Sequence, residues 1–82
     1  MPHYVYILKS LNDHKFYIGE TTDVKARLNY HNSGSQRSTK GRTPFELVLF
    51  EEFENRTEAL KREKQIKSWK GGNSFKKLIQ EM

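Results

Sequence analysis

The sequence of 82 residues contains no cysteine, so neither a disulfide nor a thiolate metal site can stabilise its fold. No apolar run approaches the length of a membrane-spanning helix, and the first residues lack the pattern of a secretory signal. We therefore expect a soluble, cytoplasmic protein. A chain of this length forms one domain, residues 1–82, whose small core depends on five Phe, four Tyr and one Trp.

Acidic residues are missing from two long stretches, so the net charge of +5 is unevenly distributed. Residues 24–45 include five basic residues and no acid, and residues 64–80 include five lysines and no acid. Segregated positive charge beside aromatic residues favours a polyanion partner, whereas a solvated basic surface is the simpler alternative. The residues expected to contact nucleic acid are Lys25, Arg37, Lys40, Arg42, Lys67 and Lys70.

Two short apolar runs, residues 4–8 and 16–19, flank a loop of turn-forming residues and predict a β-hairpin over about residues 3–20. Side chains alternate between the two faces of a strand, so if the tyrosine faces of the two strands coincide, the hydroxyls cluster on one side beside a glycine. The expected faces are Tyr4, Tyr6 and Leu8 against Val5 and Ile7 on the first strand, and Tyr17 and Gly19 against Phe16 and Ile18 on the second.

A helix is expected next, over about residues 22–32. Thr and Asp at its start can accept hydrogen bonds from exposed backbone N–H groups, and Gly34 follows its end. Arg27 and His31 lie one turn apart on the face that should pack on the hairpin. Two such groups on an inner face favour an anion nearby. The full inner stripe is Val24, Arg27, Leu28 and His31.

The segment of residues 35–43 is rich in Ser, Thr, Gly and basic residues, and it is either a phosphate-contacting loop or an ordinary connector. Residues 45–53 form the strongest strand of the chain. Apolar residues on both of its faces predict a central strand covered by helices on both sides. The expected faces are Phe45, Leu47 and Leu49 against Val48 and Phe50.

A second helix is predicted from Asn55, its cap, towards Trp69, with apolar positions at Ala59, Leu60 and Ile66. Glu63 is the one acid within this stripe. Burying an unpaired carboxylate costs several kcal/mol, so Glu63 needs a metal ion, a buried base or a hydroxyl network as its partner. An ion pair with Arg27 or a lysine is the structural alternative.

A last short helix is expected over residues 75–81, with a packing stripe of Phe75, Leu78 and Ile79. The predicted order is thus ββαβαα. This order indicates an α+β fold, in which a small three-stranded antiparallel sheet is flanked by helices.

These residues together resemble the GIY-YIG nuclease family, and in particular its small stand-alone bacterial members. Tyr4-Val5-Tyr6 stands where the first motif, Gly-Ile-Tyr, would be, and Tyr17-Ile18-Gly19 matches the second motif. Ten residues separate Tyr6 from Tyr17, a spacing typical of the family. The similarity continues through Arg27, His31 and Glu63, so it covers nearly the whole chain.

The resemblance implies an endonuclease that hydrolyses phosphodiester bonds of DNA with one divalent ion. Glu63 would hold Mg²⁺ or Mn²⁺, and Arg27 would bind the scissile phosphate. Tyr6 and Tyr17 would position the attacking water, one of them as general base, and His31 would assist. The ordinary tyrosine pKa of about 10 makes this base weak at neutral pH, so the choice between Tyr6, Tyr17 and His31 stays open.

Two positions depart from the family pattern. Tyr4 replaces the glycine of the first motif, and Glu20 stands where some members carry a basic residue. A carboxylate at position 20 either repels a phosphate or supplies a second metal ligand. Two other functions remain open: a non-catalytic nucleic-acid-binding module of the same fold, and a subunit active only with a protein partner. A homodimer would be one route to cutting both strands.

Overall fold

The computed structural model describes residues 2–34 and 40–80, and its elements follow the predicted order ββαβαα. The strands are β1 (His3–Ser10), β2 (Phe16–Thr21) and β3 (Phe45–Phe53). The helices are α1 (Val24–Asn32), α2 (Arg56–Trp69) and α3 (Asn73–Gln80), with a 3₁₀ turn at Lys40–Arg42 between α1 and β3. The predicted α+β fold with a three-stranded antiparallel sheet is confirmed.

The central strand of the sheet is β1, which pairs antiparallel with β2 on one side and with β3 on the other. The prediction that residues 45–53 form the central strand is therefore wrong. Apolar residues occur on both faces of β3 because helices cover both faces of the sheet, and this pattern does not distinguish an edge from a centre. The exposed side chain of Phe50, at 54% of its full accessibility, reflects the edge position.

The predicted faces of β3 are wrong because the strand contains a β-bulge. Ile7 pairs with Leu49, but the next residue, Leu8, pairs with Leu47, so Val48 is the extra residue of the bulge. Leu49 consequently packs with Ile7, whereas Leu47 packs on the opposite face beside Leu8. A bulge changes the alternation by one residue, and the periodicity of the sequence does not reveal where it occurs.

The core has two layers, one on each face of the sheet. The larger layer joins Val5, Ile7 and Ile18 of the hairpin to α2 and α3, through Ala59, Ile66 and Phe75. The smaller layer lies under α1 and joins Tyr6, Leu8 and Phe45 to Val24 and Leu28. The predicted division of the hairpin into a tyrosine face and an aliphatic face is confirmed.

The helix ends follow the predicted chemistry. The carboxylate of Asp23 accepts a hydrogen bond of 3.0 Å from the Ala26 amide at the start of α1, and Gly34 ends this helix at φ 77°. The side-chain oxygen of Asn55 accepts from the Glu58 amide at 2.9 Å. The last helix begins at residue 73, two residues before its predicted start.

The prediction that Leu60 belongs to the buried stripe of α2 is wrong. Leu60 is 41% exposed, while Ala59 and Ile66 are buried as predicted. An inner stripe of a short helix is narrow, so of two adjacent apolar residues only one can point at the sheet. Leu60 instead lines a cleft beside the sheet. Within residues 2–34 and 40–80, no helix has the length and apolarity needed to cross a membrane.

Candidate active site

Four of the five predicted catalytic side chains line one cleft of about 310 Å³, which we call the α1–α2 cleft. Tyr6 comes from β1, Tyr17 from β2, Arg27 from α1 and Glu63 from α2. The hairpin places the two tyrosines together, and the two helices bring the guanidinium and the carboxylate to opposite walls. The remaining lining residues are Ile18, Gly19, Glu20, Arg56, Leu60 and Lys67.

Gly19 makes room for the hydroxyl of Tyr6. These two residues are partners in the pairing of β1 with β2. A Cβ atom built on Gly19 would lie 2.6 Å from Cζ of Tyr6 and closer still to its hydroxyl oxygen. Any side chain at position 19 would therefore displace the Tyr6 ring, which is why this motif position requires glycine.

His31, the fifth predicted catalytic residue, lies behind Tyr6 and does not line the α1–α2 cleft. Its side chain is fully buried, and its Nε2 atom lies 3.2 Å from the Tyr6 hydroxyl oxygen. The imidazole also meets the Tyr17 ring edge to face, with 4.7 Å between the ring centroids. The three rings form one packed cluster, since Tyr6 and Tyr17 stack at 6.4 Å.

The burial of this cluster sets its protonation states. Burial raises the pKa of Tyr6 well above its ordinary value, the neighbouring Tyr17 raises it further, and Arg27 opposes the shift. Burial, together with the positive charge of Arg27, lowers the pKa of His31. At neutral pH both groups are uncharged, so the Tyr6 hydroxyl can donate to Nε2 of a neutral imidazole.

Arg27 lies on the α1 wall of the cleft, with its guanidinium carbon 5.7 Å from the centroid of the Tyr30 ring. Within the part of the chain that the structure describes, Arg27 makes no ion pair with an acidic side chain. A guanidinium presents a planar array of donors that matches two oxygens of a phosphate. The geometry therefore leaves Arg27 available to an anion in the cleft.

Glu63 has the lysine partner that was one of its predicted alternatives. Its Oε2 atom lies 2.7 Å from Nζ of Lys67, one helical turn further along α2. The Glu63 side chain is 18% exposed and that of Lys67 is 52% exposed. A pair with so exposed a lysine is weak, so Lys67 can release the carboxylate to a stronger ligand.

Glu20 is held by two basic side chains. Its carboxylate lies 2.9 Å from Nδ1 of His3 and 3.5 Å from Nε of Arg56. Arg56 also lines the cleft and was missed by the sequence reasoning. Its spacing of seven residues from Glu63 on α2 puts both on one helix face, and this was the signal that could have identified it.

The cleft fits a divalent ion that keeps most of its water. Among the described residues there is no cluster of three or more His, Cys, Asp or Glu side chains that could enclose a metal. Mg²⁺ is commonly bound by one or two carboxylates, several waters and a substrate phosphate, so a closed cage is unnecessary. Glu63 supplies one carboxylate, and Glu20 lies in the same cleft.

The residues expected to contact nucleic acid divide between several places. Lys67 lines the α1–α2 cleft, and Lys25 is exposed on α1. Arg42 and Lys70 line a second cavity beside α3. Arg37 and the side chain of Lys40 lie outside the described residues.

The family model of the GIY-YIG catalytic domain matches residues 2–77, which is most of the chain. The chain belongs to the GIY-YIG family. The expected resemblance is thereby confirmed. Members of this family are nucleases, they act on nucleic acid, and they generally use divalent metal ions.

Similar proteins of the GIY-YIG family are small, like this one. A UPF0213 protein of Haloquadratum walsbyi is 50% identical over 68 residues, covering 82% of this chain and 75% of the relative. A UPF0213 protein of Staphylococcus epidermidis is 45% identical over 80 residues, covering 96% and 95%. The solution NMR structure of a UPF0213 protein from Bacillus halodurans has a TM-score of 0.63 and 38% identity, covering 98% of this chain and 84% of the other.

Proposed function

We propose that this GIY-YIG protein is a divalent-metal-dependent endonuclease that hydrolyses phosphodiester bonds of DNA in the α1–α2 cleft. The observation that supports this most strongly is the composition of that cleft. A space of about 310 Å³ is lined by the guanidinium of Arg27, the carboxylate of Glu63 and two tyrosine hydroxyls, which come from four separate elements. Phosphodiester hydrolysis needs a cation on the phosphate, an oriented water and a group to take its proton.

Arg27 binds the scissile phosphate in this proposal. It is the cleft's guanidinium with no acidic partner among the described residues, so binding a phosphate costs it no existing ion pair. Two of its N–H groups can donate to two phosphate oxygens. This contact strengthens as negative charge develops on the phosphate, and it therefore stabilises the transition state more than the ground state.

Tyr6 and His31 together accept the proton of the attacking water. Burial holds the pKa of Tyr6 too high for its phenolate to serve as a base at neutral pH. The neutral His31, 3.2 Å from the Tyr6 hydroxyl, is the better acceptor. The Tyr6 oxygen accepts a hydrogen bond from water while its own proton is donated to Nε2, so a proton can pass through Tyr6 to His31.

Tyr17 orients the water from the adjacent position. Its ring stacks on Tyr6 with an angle of 27° between the ring planes, and it also contacts the His31 ring edge to face. Both contacts hold the Tyr17 ring in place. Tyr17 also lines the cleft. A second hydroxyl next to that of Tyr6 restricts the water to one approach direction, which is an important part of the catalytic gain in such reactions.

Glu63 would hold the divalent ion, Mg²⁺ or Mn²⁺, once its ion pair with Lys67 is broken. When bound, the ion supplies positive charge to a phosphate oxygen and lowers the pKa of a water molecule. Glu20 is committed to His3 and Arg56, so Glu63 is the carboxylate in this cleft whose only partner among the described residues is an exposed lysine. Lys67 then contacts the phosphate backbone of the bound DNA.

A cleavage assay with labelled duplex, single-stranded and branched DNA, and with RNA of the same sequence, tests the proposal. The wild-type protein should cut DNA when Mg²⁺ or Mn²⁺ is added and should be inactive in EDTA. Arg27→Ala should lower the cleavage rate about a hundredfold or more, as the loss of one transition-state donor typically does.

Lys64→Ala is the control, because it removes an exposed positive charge from a helix beside the cleft without changing the cleft lining. It should keep most of the activity. Cleavage by Arg27→Ala at the wild-type rate would contradict the proposed role of Arg27. Salt-sensitive binding of DNA without cleavage in the presence of any metal would instead identify a non-catalytic binding module. Preferential cleavage of RNA would identify RNA as the substrate in place of DNA.

A further inference from the structure

A second cavity of about 370 Å³ lies outside the proposed active site, and we call it the α3 cavity. The loop after β1, the 3₁₀ turn, the turn between α2 and α3, and α3 itself surround it. Its floor is apolar and includes Phe16, Phe75 and Ile79. Phe75 is buried, and Phe16 is half-buried, lines the cavity and meets Phe75 edge to face at 5.0 Å.

The rim of the cavity is fixed by hydrogen bonds between two loops. The fully buried Ser10 donates from its hydroxyl to the Arg42 carbonyl and accepts from the amides of Asn12 and Asp13, both at 3.1 Å. The side chain of Asn12 donates to the carbonyl of Gly41 at 2.9 Å. These bonds hold the β1–β2 loop against the 3₁₀ turn, so the cavity is formed before a ligand arrives.

Four cationic side chains line the cavity: Lys15, Arg42, Lys70 and Lys76. Asp13 lies 3.5 Å from Arg42 and compensates one of the four charges. The three lysines form no ion pair within the described residues. Burial, and after it the positive charges of Arg42, Lys67 and Lys15, lower the pKa of Lys70, which agrees with cations that lie close together.

An apolar floor below crowded cations fits a ligand with a flat apolar part and a negative charge. A nucleotide has both parts, a base that stacks on an aromatic ring and a phosphate that pairs with lysines. A base within a duplex cannot enter a cavity, whereas an unpaired base can leave the stack. The cavity volume lies within the usual range for small-ligand sites.

We propose that the α3 cavity binds one unpaired nucleotide of the substrate, with the base on Phe16 and the phosphate among Lys15, Lys70 and Lys76. This inference rests on the proposed function to the extent that the substrate is a nucleic acid. It identifies the substrate class as DNA with an unpaired nucleotide near the cut, such as a bulge, a flap or a branch.

The two sites are linked along α2. Glu63 and Lys67 line the α1–α2 cleft, and Lys70, directly after the helix, lines the α3 cavity. Seven residues of helix rise about 10 Å, a length comparable with roughly three base steps of about 3.4 Å each. A single nucleic-acid strand following these lysines can occupy both sites, with the unpaired nucleotide a few positions from the cleaved bond.

Fluorescence anisotropy in EDTA tests the proposal without any cleavage. One labelled duplex contains a single extra unpaired thymidine, and the other is fully paired with the same flanking sequence. The wild-type protein should bind the first about fivefold or more tightly, which is the lower end of the effect of one stacked base. Phe16→Leu and Lys76→Ala should each reduce this preference to nearly one.

Lys77→Ala is the matched control, since Lys77 follows Lys76 on α3 but lines a different cavity beside Trp69. It should weaken the binding of both duplexes equally and preserve the preference for the duplex with the unpaired thymidine. Lys76→Ala replaces an exposed side chain, so it keeps the test valid if Phe16→Leu fails to fold. Equal affinity of the wild-type protein for the two duplexes overturns the proposal, and so does a preference that both cavity variants retain.

An NMR titration identifies the ligand chemistry directly. Thymidine 5′-monophosphate should shift the amide signals of Gly71 and Phe75 more than those of the α1–α2 cleft. Shifts produced by dodecanoate but not by the nucleotide would overturn the assignment in favour of an anionic lipid chain. The nuclease proposal fails separately: a protein that prefers the unpaired nucleotide yet cuts nothing in Mg²⁺ or Mn²⁺ keeps the cavity assignment and loses the proposed activity.

Discussion

At the scale of single residues, the tyrosine cluster could be predicted and its protonation could not. Strand alternation puts Tyr6 and Tyr17 on one face beside Gly19 if the tyrosine faces of the two strands coincide, and helix periodicity places His31 towards them. The hydrogen bond between Tyr6 and His31, and the burial that shifts both pKa values in opposite directions, depend on how deeply the pair lies in the fold. No sequence pattern reports that depth.

The contact between Gly19 and Tyr6 leads to a first prediction, for Gly19→Ala. The new methyl group would push the Tyr6 ring away from His31, because the packed rings leave it no free space. We expect a loss of about 1–3 kcal/mol in the free energy of unfolding by urea titration. Cleavage should fall roughly tenfold to a hundredfold, as small displacements of catalytic groups typically cause.

Gly41→Ala is the control for this change, because a Cβ atom at Gly41 would meet nothing within 4 Å. It should leave the cleavage rate and the free energy of unfolding nearly unchanged. Full activity of Gly19→Ala would show that the position of the Tyr6 hydroxyl does not matter for the reaction.

A second prediction concerns pH and His31. Its pKa is lowered in the folded protein, so as pH falls below about 6.5 the unfolded chain takes up the proton first. The free energy of unfolding should therefore decrease as pH falls from about 6.5 to the folded-state pKa, and this contribution is constant above that range. Urea titrations between about pH 5.5 and 8 measure it.

The His31→Gln variant should lose this acid-side decrease, whereas the exposed His14→Gln variant should retain it. The same ionisation governs activity, because a protonated imidazole cannot accept the proton from Tyr6. The cleavage rate of the folded protein should accordingly decline as pH falls through the lowered folded-state pKa of His31. A rate that rises towards acid pH would contradict the role assigned to His31.

At the scale of elements, the helices were easier to predict than the arrangement of the strands. Caps such as Asp23 and Asn55 are local signals, and the structure bears both out. The edge position of β3 and the bulge at Val48 depend on pairing with β1, a strand some forty residues away in sequence. The ion pair of Glu63 with Lys67 is again local, since one turn of α2 separates them.

This ion pair gives a third prediction, for Lys67→Met. The free energy of unfolding should change by less than about 0.5 kcal/mol, because the lysine is largely exposed. The apparent affinity for Mn²⁺ should rise, since no ammonium then competes for Glu63. DNA binding should weaken, with the slope of log affinity against log salt reduced by about one.

Lys64→Met is the control on the same helix, because Lys64 is exposed and lies outside the α1–α2 cleft. Isothermal titration with Mn²⁺ and anisotropy at several salt concentrations give the two measurements. Metal affinity that falls in Lys67→Met would indicate that the lysine does not compete with the ion at Glu63.

At the scale of the whole molecule, charge is separated across the sheet. The proposed active site lies at the β2 edge, and four acids, Glu46, Glu51, Glu52 and Glu54, lie on or next to the β3 edge. Such a distribution orients the β2 side towards a polyanion. The acid-free stretches of the sequence indicated the basic regions, but which edge carries the acids followed only from the strand order.

The acidic edge gives a fourth prediction. In the described residues β3 pairs only with β1, so no other strand covers its outer edge, and exposed acids there disfavour pairing with another copy. Replacing both Glu46 and Glu52 with Thr should cause concentration-dependent association in sedimentation velocity, whereas Glu58→Gln on α2 should not. Association of the wild-type chain through this edge would contradict the argument.

The central claim is that DNA is hydrolysed in the α1–α2 cleft with a divalent ion held by Glu63. Its most direct test is the single-turnover cleavage rate of Glu63→Gln in Mg²⁺ and Mn²⁺. The control is Glu58→Gln, which changes an exposed acid on the same helix outside the cleft. We predict that Glu63→Gln binds DNA with nearly wild-type affinity but loses metal-dependent cleavage, while Glu58→Gln keeps it. Wild-type cleavage by Glu63→Gln would show that the carboxylate does not hold the catalytic ion.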